Sequence, residues 1–187
     1  MEAVFVDKHF ALVQACKQGN RKAQYELYRL YSKAMYNVAV RIVNDLDEAA
    51  DVLQEAFLDA FSKIADFRQD TTFGLWMKQI VVNRSINRLR KKKYDIISID
   101  DYPIADELAD EDAEDDGEVQ WKAAQVRDAI GHLPDQYRLV ITLYLIEGYD
   151  HEEIGQIAGI TENTSRTQFL RAKRKLIEIL KEKGIAA

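Results

Sequence analysis

Between Asp70 and Asp95 the chain has no acidic residue, and seven cations fall in that window: Lys78, Arg84, Arg88, Arg90, Lys91, Lys92 and Lys93. A short polar segment precedes it (Phe67, Arg68, Gln69, Asp70, Thr71, Thr72), and rings follow at Phe73 and Trp76. Cations neutralise phosphates and aromatic rings stack on bases, so the stretch suits a nucleic-acid surface. The same composition also describes a basic amphipathic helix with a buried tryptophan. A second cluster helps to separate the two readings. Near the C-terminus, Thr161 can cap a helix that opens on Asn163, Thr164, Ser165, Arg166, Thr167 and Gln168, with Arg171 and Arg174 following. Arg pairs with guanine O6 and N7, and Asn or Gln with adenine N6 and N7.

Other chemistries find little to work with. One cysteine, Cys16, and three scattered histidines, His9, His132 and His151, make no metal-ligand cluster, so no metal or cofactor is expected. A lone cysteine also fits a reducing, cytoplasmic setting. The run Asp112 to Gly117 resembles the start of a calcium loop, but the position that needs a bidentate Glu is Ala123. A nuclease built on clustered carboxylates is disfavoured because those acids lie in a Pro103-containing stretch without fixed geometry. No catalytic residue is assigned. The N-terminus lacks a basic segment followed by an apolar run, and no apolar stretch reaches membrane-spanning length, so neither a signal peptide nor membrane insertion is expected.

The formal net charge of −6 hides an uneven distribution. Residues 1–93 carry 16 Lys+Arg against 11 Asp+Glu, residues 94–118 carry none against 12, and residues 119–187 carry 10 against 9. The chain therefore divides into a positive block, an acidic strap read as an extended or disordered linker, and a near-neutral block.

Helical periodicity runs through both outer blocks, which predicts an all-α protein of two small domains. Phe10, Val13 and Cys16 mark a first helix, stopped at Gly19 before Asn20 caps the next. Ala23, Leu27, Leu30, Ala34, Val38 and Ile42 predict one face of a long second helix. Asn44-Asp45 punctuates, and Ala49, Val52, Leu53, Ala56, Phe57, Ala60, Phe61 and Ile64 form the stripe of a third. Its other side presents Asp51, Gln54, Glu55 and Leu58, which is either a solvated face or a polar surface for docking another protein. Thr71 or Thr72 can cap a fourth helix from Phe73, with Leu75, Val82, Ile86 and Leu89 inward and Arg84, Arg88 and Lys92 on another face.

After the strap, Trp121, Ala124, Val126 and Ile130 predict a helix ended by Gly131. Pro134 opens another with Tyr137, Val140, Ile141, Tyr144 and Leu145 buried. Asp150 and Glu153 predict a capping box, Gly159-Ile160 a turn, and Thr161 the cap of a last helix with Phe169, Leu170, Leu176, Ile177 and Leu180 inward. A short helix, a glycine turn and a capped helix with polar N-terminal residues form a helix-turn-helix pattern. An ordinary helical pair with a basic exposed face would share much of it.

Both blocks resemble one family, the bacterial extracytoplasmic-function (ECF) type of RNA polymerase sigma factors. Residues 1–93 are similar to its region 2, through AQYELYRLYSKAMYNVAVRIV, DEAADVLQEAFLDAFSKIADF and FRQDTTFGLWMKQIVVNRSINRLRKKK. Residues 119–187 are similar to its region 4, through AIGHLPDQYRLVITLYLIEGYDHEEIGQIAGITENTSRTQFLRAKRKL. The order DVLQEAF, FxxWMxxIVVNxxIN, LPDQYR and then the helix-turn-helix is far more specific than a helix-turn-helix alone.

The resemblance implies a subunit that directs core RNA polymerase to −35/−10 promoters and promotes their opening, without enzymatic chemistry of its own. It implies that Asp51, Gln54, Glu55 and Leu58 dock on the polymerase β′ clamp helices, and that Phe67 to Thr72 capture a flipped base of the −10 element. Trp76, Asn83, Arg84 and Arg88 would engage the melting −10 DNA. The helix carrying Asn163 to Gln168, Arg171 and Arg174 would read the −35 element while its domain holds the β flap tip. The strap at 94–118 matches the family's connector, and control by an anti-sigma factor is expected. A stand-alone helix-turn-helix regulator is the alternative. Two departures stand out: Asn163-Thr164-Ser165 replaces a frequent Gly-Thr-Val, and Gly74 stands where a longer polar residue is common.

Overall fold

The computed structural model describes residues 7–95 and 117–185, with side chains placed over 7–92 and 121–185. Among these residues every regular element is helical, and none is long and apolar enough to cross a membrane. The chain divides into two compact units. The first holds α1 (Phe10–Lys17), α2 (Arg21–Val43), α3 (Leu46–Ser62), a 3₁₀ turn (Ile64–Asp66) and α4 (Phe73–Asp95); the second holds α5 (Gly117–Gly131), α6 (Asp135–Leu145), α7 (His151–Ala158) and α8 (Glu162–Glu182). The acidic strap, apart from the residues that finish α4 and begin α5, lies outside the described residues, as does most of the calcium-loop-like run.

The helix boundaries follow local chemistry. Gly19 takes φ 79° after α1, and Asn20 then accepts from the amides of Lys22 and Ala23 at the start of α2. Asn44 closes α2 in the left-handed region, and Asp45 at once caps α3 through Glu48 N. Both junctions satisfy end groups that a helix cannot satisfy itself.

In the first unit α2, α3 and α4 pack on one another, and α1 lies against α2 and the 3₁₀ turn. The α3 stripe is as expected, with Ala49, Val52, Leu53, Ala56, Phe57 and Ala60 buried and Ile64 following in the 3₁₀ turn. The α2 stripe is displaced: Leu30 and Ala34 face outward, while Met35, Ala39 and Val43 join Leu27, Val38 and Ile42 inside. A 3.6-residue period allows two neighbouring rows on so long a helix, and the position of α3 and α4 selects between them. Leu75 of α4 is likewise exposed, because Phe73, Met77 and Val81 line the core and a residue two places from Phe73 points about 200° away.

In the second unit, Ala129, Ile130, Leu133, Ile141, Ala172, Leu176 and Ile179 form the core, edged by Val126, Tyr137, Phe169 and Leu180. Three residues expected inside are exposed, Leu145, Leu170 and Ile177, and Tyr144 is only partly covered; Trp121 and Ala124 of α5 also face solvent. Thr142 and Leu143 are buried instead, together with Arg138, whose guanidinium donates to Leu133 O at 3.0 Å and Asp135 Oδ1 at 2.6 Å. That arginine ties the α5–α6 turn to the helix that follows it.

Candidate nucleic-acid interface

The polar segment before α4 divides into an inner and an outer side. Phe67 is buried and stacks on Trp76, with ring centroids 4.8 Å apart and planes 25° apart, and meets Phe73 edge-on. Arg68, Asp70 and Thr71 face solvent, and Gln69 is half-buried with φ 65°. Thr72 provides the cap, its Oγ1 accepting from Leu75 N at 3.2 Å and its carbonyl from Trp76 N at 3.1 Å. Of the six residues expected to form a base-capturing loop, Phe67 thus belongs to the support beneath it. Trp76 is half-covered by that stack rather than free on the surface.

Gly74 has a packing reason. A Cβ built there would come within 2.8 Å of Tyr31 Cε1. Tyr31 is fixed by an edge-on contact with Phe73 and a 2.7 Å hydrogen bond between its hydroxyl and His9 Nδ1. Burial, and secondly the Asp7 carboxylate, raise the pKa of Tyr31, so it stays a neutral hydroxyl.

Further along α4, Asn83 is exposed and shares a cleft of about 400 Å³ with Asp59, Lys63, Ile80, Arg84 and Asn87. Asn87, to which the sequence reading gives no role, stands one turn beyond Asn83, so two carboxamides that can both donate and accept lie on one face of α4. Their i, i+4 spacing was the available signal.

Arg84 and Arg88 are engaged within the unit. Arg84 Nε donates to Asp59 Oδ2 at 2.6 Å, and its Nη1 reaches Glu55 Oε2 at 3.2 Å. Arg88 Nη2 bonds Glu55 Oε1 at 3.0 Å. Its Nη1 lies 2.9 Å from Glu48 Oε2, outside hydrogen-bond geometry but close in charge, and 3.9 Å from Asp51 Oδ2. The acids on the polar face of α3 and the cations of α4 therefore form one network. Asp51, Gln54 and Leu58 remain exposed on that face, Leu58 at 71%, whereas Glu55 is half-buried between the two arginines.

In the second unit, α7 and α8 make the expected turn. Asp150 and Glu153 complete a capping box, Gly159 takes φ 66°, and Thr161 Oγ1 accepts from Thr164 N at 3.1 Å. Gly155 permits the closeness of the two helices: a Cβ there would lie 2.9 Å from Ile160 O and 3.3 Å from Glu162 N. From α8, Asn163, Thr164, Arg166, Thr167, Arg171 and Arg174 are exposed and Gln168 is half-buried. Arg166 leans back on Glu162 in an i, i+4 ion pair.

Ser165 is apart from this group. It is fully buried, and its Oγ lies 2.9 Å from His151 Nδ1. The His151 ring stacks on Tyr144 at 4.5 Å and meets Phe169 edge-on at 5.6 Å. Burial, and secondly the nearby Arg166, hold its pKa below the ordinary 6.5. The departure at Ser165 is thus half of a buried polar pair that joins α7 to α8. Sequence reading left His151 without a role because its partner lies 14 residues away, on another helix.

Comparison with known proteins agrees with these arrangements. Residues 27–94 match the Sigma-70 region 2 family model, and residues 123–176 match Sigma-70, region 4. The chain is 32% identical over 176 residues to the ECF RNA polymerase sigma-E factor of Haemophilus influenzae, covering 90% of this chain and 92% of that protein. It is 29% identical over 181 residues to the ECF RNA polymerase sigma factor SigW of Bacillus subtilis, covering 91% and 95%. Among solved structures it is similar in fold to the sigma factor RpoE in its complex with the anti-sigma factor NepR from Bartonella quintana. There the TM-score is 0.60 at 22% identity, covering 84% of this chain and 96% of that one. With a helical region 2 unit carrying an aromatic-supported polar loop and a region 4 helix-turn-helix carrying an exposed polar helix, the chain belongs to the ECF type of the sigma-70 family, the sigma factors that direct RNA polymerase to promoters.

Proposed function

We propose that residues 1–93 grip the −10 element and core polymerase, that residues 119–187 read the −35 element, and that residues 94–118 connect the two. In this reading the exposed Asp51, Gln54 and Leu58, with Glu55 behind them, meet the β′ clamp helices. Arg68, Gln69, Asp70 and Thr71 line the pocket for a flipped non-template base. Asn83 and Asn87 offer their carboxamides to the adjoining strand. Asn163, Thr164, Arg166, Thr167, Gln168, Arg171 and Arg174 face the −35 major groove, and the second unit also engages the β flap tip.

The observation that carries the reading is the exposure of one polar row on α8 behind a glycine-tight, doubly capped turn, in a chain that also bears the region 2 unit. Opening is favoured because flipped bases exchange stacking for a protein pocket and the single strand gains cationic contacts. Control by an anti-sigma factor is part of the proposal, since the structurally similar RpoE is bound to one.

Reconstitution with core polymerase on a promoter library tests the whole. Stable complex formation and initiation from a discrete −35/−10 subset are expected. Binding to duplex sites without polymerase, with no complex formed with core, would instead mark a stand-alone regulator.

A further inference from the structure

The segment 67–72 takes contacts from outside itself at its most strained residue. Gln69 and Asn44 are the only non-glycine residues with positive φ among those described. Asn44 closes a helix and is a residue type that tolerates the left-handed region, whereas Gln69 has neither excuse. The Nε2 of Gln69 is also shielded from solvent without a hydrogen-bond partner. A strained backbone and an unsatisfied buried donor on one residue are costs that something else must offset.

The offsetting contacts come from the N-terminal segment. Lys17 Nζ donates to Phe67 O at 2.6 Å and lies 5.9 Å from the centre of the Phe67 ring. Gln14 Nε2 donates to Gln69 Oε1 at 3.3 Å. Asp7, only 7% exposed, accepts from His9 N at 2.8 Å and from Phe73 N at 2.6 Å. Its carboxylate thereby satisfies an amide at the N-terminus of α4, where negative charge is also favoured by the helix dipole. Gln14 and Lys17 are three residues apart and share one face of α1. All three side chains lie outside the matched region 2 segment, which begins at residue 27.

We propose that α1 and the residues just before it are a brace for the base-capturing loop, with Asp7, Gln14 and Lys17 as positioning residues that touch no DNA. The proposal rests on the reading of residues 67–72 as that loop. A pocket discriminates between bases only if its polar groups are held in place before the base arrives, because groups ordered on binding spend affinity on their own ordering. Lys17 fixes the loop's first carbonyl, Gln14 fixes the strained residue at its centre, and Asp7 fixes its exit into α4. The brace is therefore three-point, and the outward Arg68, Asp70 and Thr71 are carried between its anchors.

The test uses the complete chain bound to core polymerase. The probes are fluorescent single-stranded −10 oligonucleotides with each of the four bases at the captured position. For the double variant Lys17→Met with Gln14→Leu, the ratio between best and worst base is expected to fall on the order of tenfold, as loss of a charge-assisted hydrogen bond and its neighbour implies. Core affinity and −35 duplex binding are expected to stay at the wild-type level. Lys17→Arg, which keeps a donor, should retain most of the discrimination. Ile42→Val, a small cavity on α2 in the core of the first unit where Ile42 is fully buried, should lower the melting temperature and leave discrimination intact.

A double variant that discriminates like wild type would overturn the brace, as would an Ile42→Val variant that loses as much discrimination as the double variant. A wild-type complex with no preference among the four bases would overturn the base-pocket reading itself, and the brace with it.

Discussion

At the scale of single residues, three small or polar side chains are decided by what lies a few ångströms from them. Gly155 faces backbone, which cannot yield, so Gly155→Ala is expected to cost about 2 kcal/mol or more despite the better helix propensity of alanine. Chemical denaturation followed by circular dichroism would read it. Gly74 faces a ring held at both ends, and the same substitution there should destabilise the first unit by a smaller amount, about 1 kcal/mol, as the Tyr31 ring shifts.

The His151–Ser165 pair makes a pH prediction. The folded domain keeps the imidazole neutral: burial, and secondly Arg166, hold its pKa below the 6.5 of an unfolded chain, against Glu162 and Asp150, which favour the proton. Between the two values the unfolded state binds more protons. The associated stability is therefore fully present above about pH 6.5 and declines as the pH falls towards the folded value. Hydrogen exchange of α7 and α8 amides, corrected for intrinsic rates, should show faster opening at about pH 5.5 than at about pH 7.5, and His151→Gln should flatten the difference. An unchanged difference in that variant would assign the effect to other groups.

At the scale of elements, the pairing of α3 with α4 was the least visible feature. The acid-free window of α4 reads as a cationic face offered to phosphate, and its acids are absent only from its own helix. The third helix supplies them across the interface: Glu48, Asp51, Glu55 and Asp59 meet Arg84 and Arg88. Ion pairs this exposed contribute about 0.2–1 kcal/mol each. Arg88→Met is thus expected to lower stability by about 1 kcal/mol at low salt and by less at high salt, measured by urea unfolding at two ionic strengths. The network also couples the two surfaces assigned to different tasks, since Glu55 belongs to the docking face by sequence and to the arginines by geometry. The brace of α1 on the loop is a feature of the same scale: side chains from residues 7 to 17 act on residues 67 to 73.

At the scale of the whole molecule, the proposed function divides between two units, and so should the effects of substitution. Arg171→Ala, on the exposed row of α8, is expected to weaken −35-dependent recruitment several-fold while leaving opening of recruited promoters unchanged. Trp76→Ala should do the reverse, and because it also removes the stack under Phe67 it should lower the melting temperature. Equal losses at both steps for both variants would contradict the division. Promoter complexes should weaken steeply with salt, as phosphate contacts release counterions. In Arg166→Ala the fall should be shallower by about one phosphate contact if that arginine leaves Glu162 for DNA, and unchanged if the ion pair persists.

Local signals carried much of this protein. The caps at Asn20, Asp150 and Thr161, the turns at Gly19 and Gly159, the break at Asn44-Asp45 and the α3 stripe were all legible, because each depends on residues within one helical turn of one another. So was membership of the family, since the ordered motifs lie in continuous stretches of chain. Which row of α2 is buried, why Ser165 and Phe67 turn inward, why Gly74 is a glycine and where Arg84 and Arg88 spend their charge were not. Each is settled by a partner on a different element: Tyr31 for Gly74, His151 for Ser165, Trp76 for Phe67, and the acids of α3 for the two arginines. A helical period states how far apart the inward residues are. Only the neighbouring helix, once packed, decides which of them face it and which charges it answers.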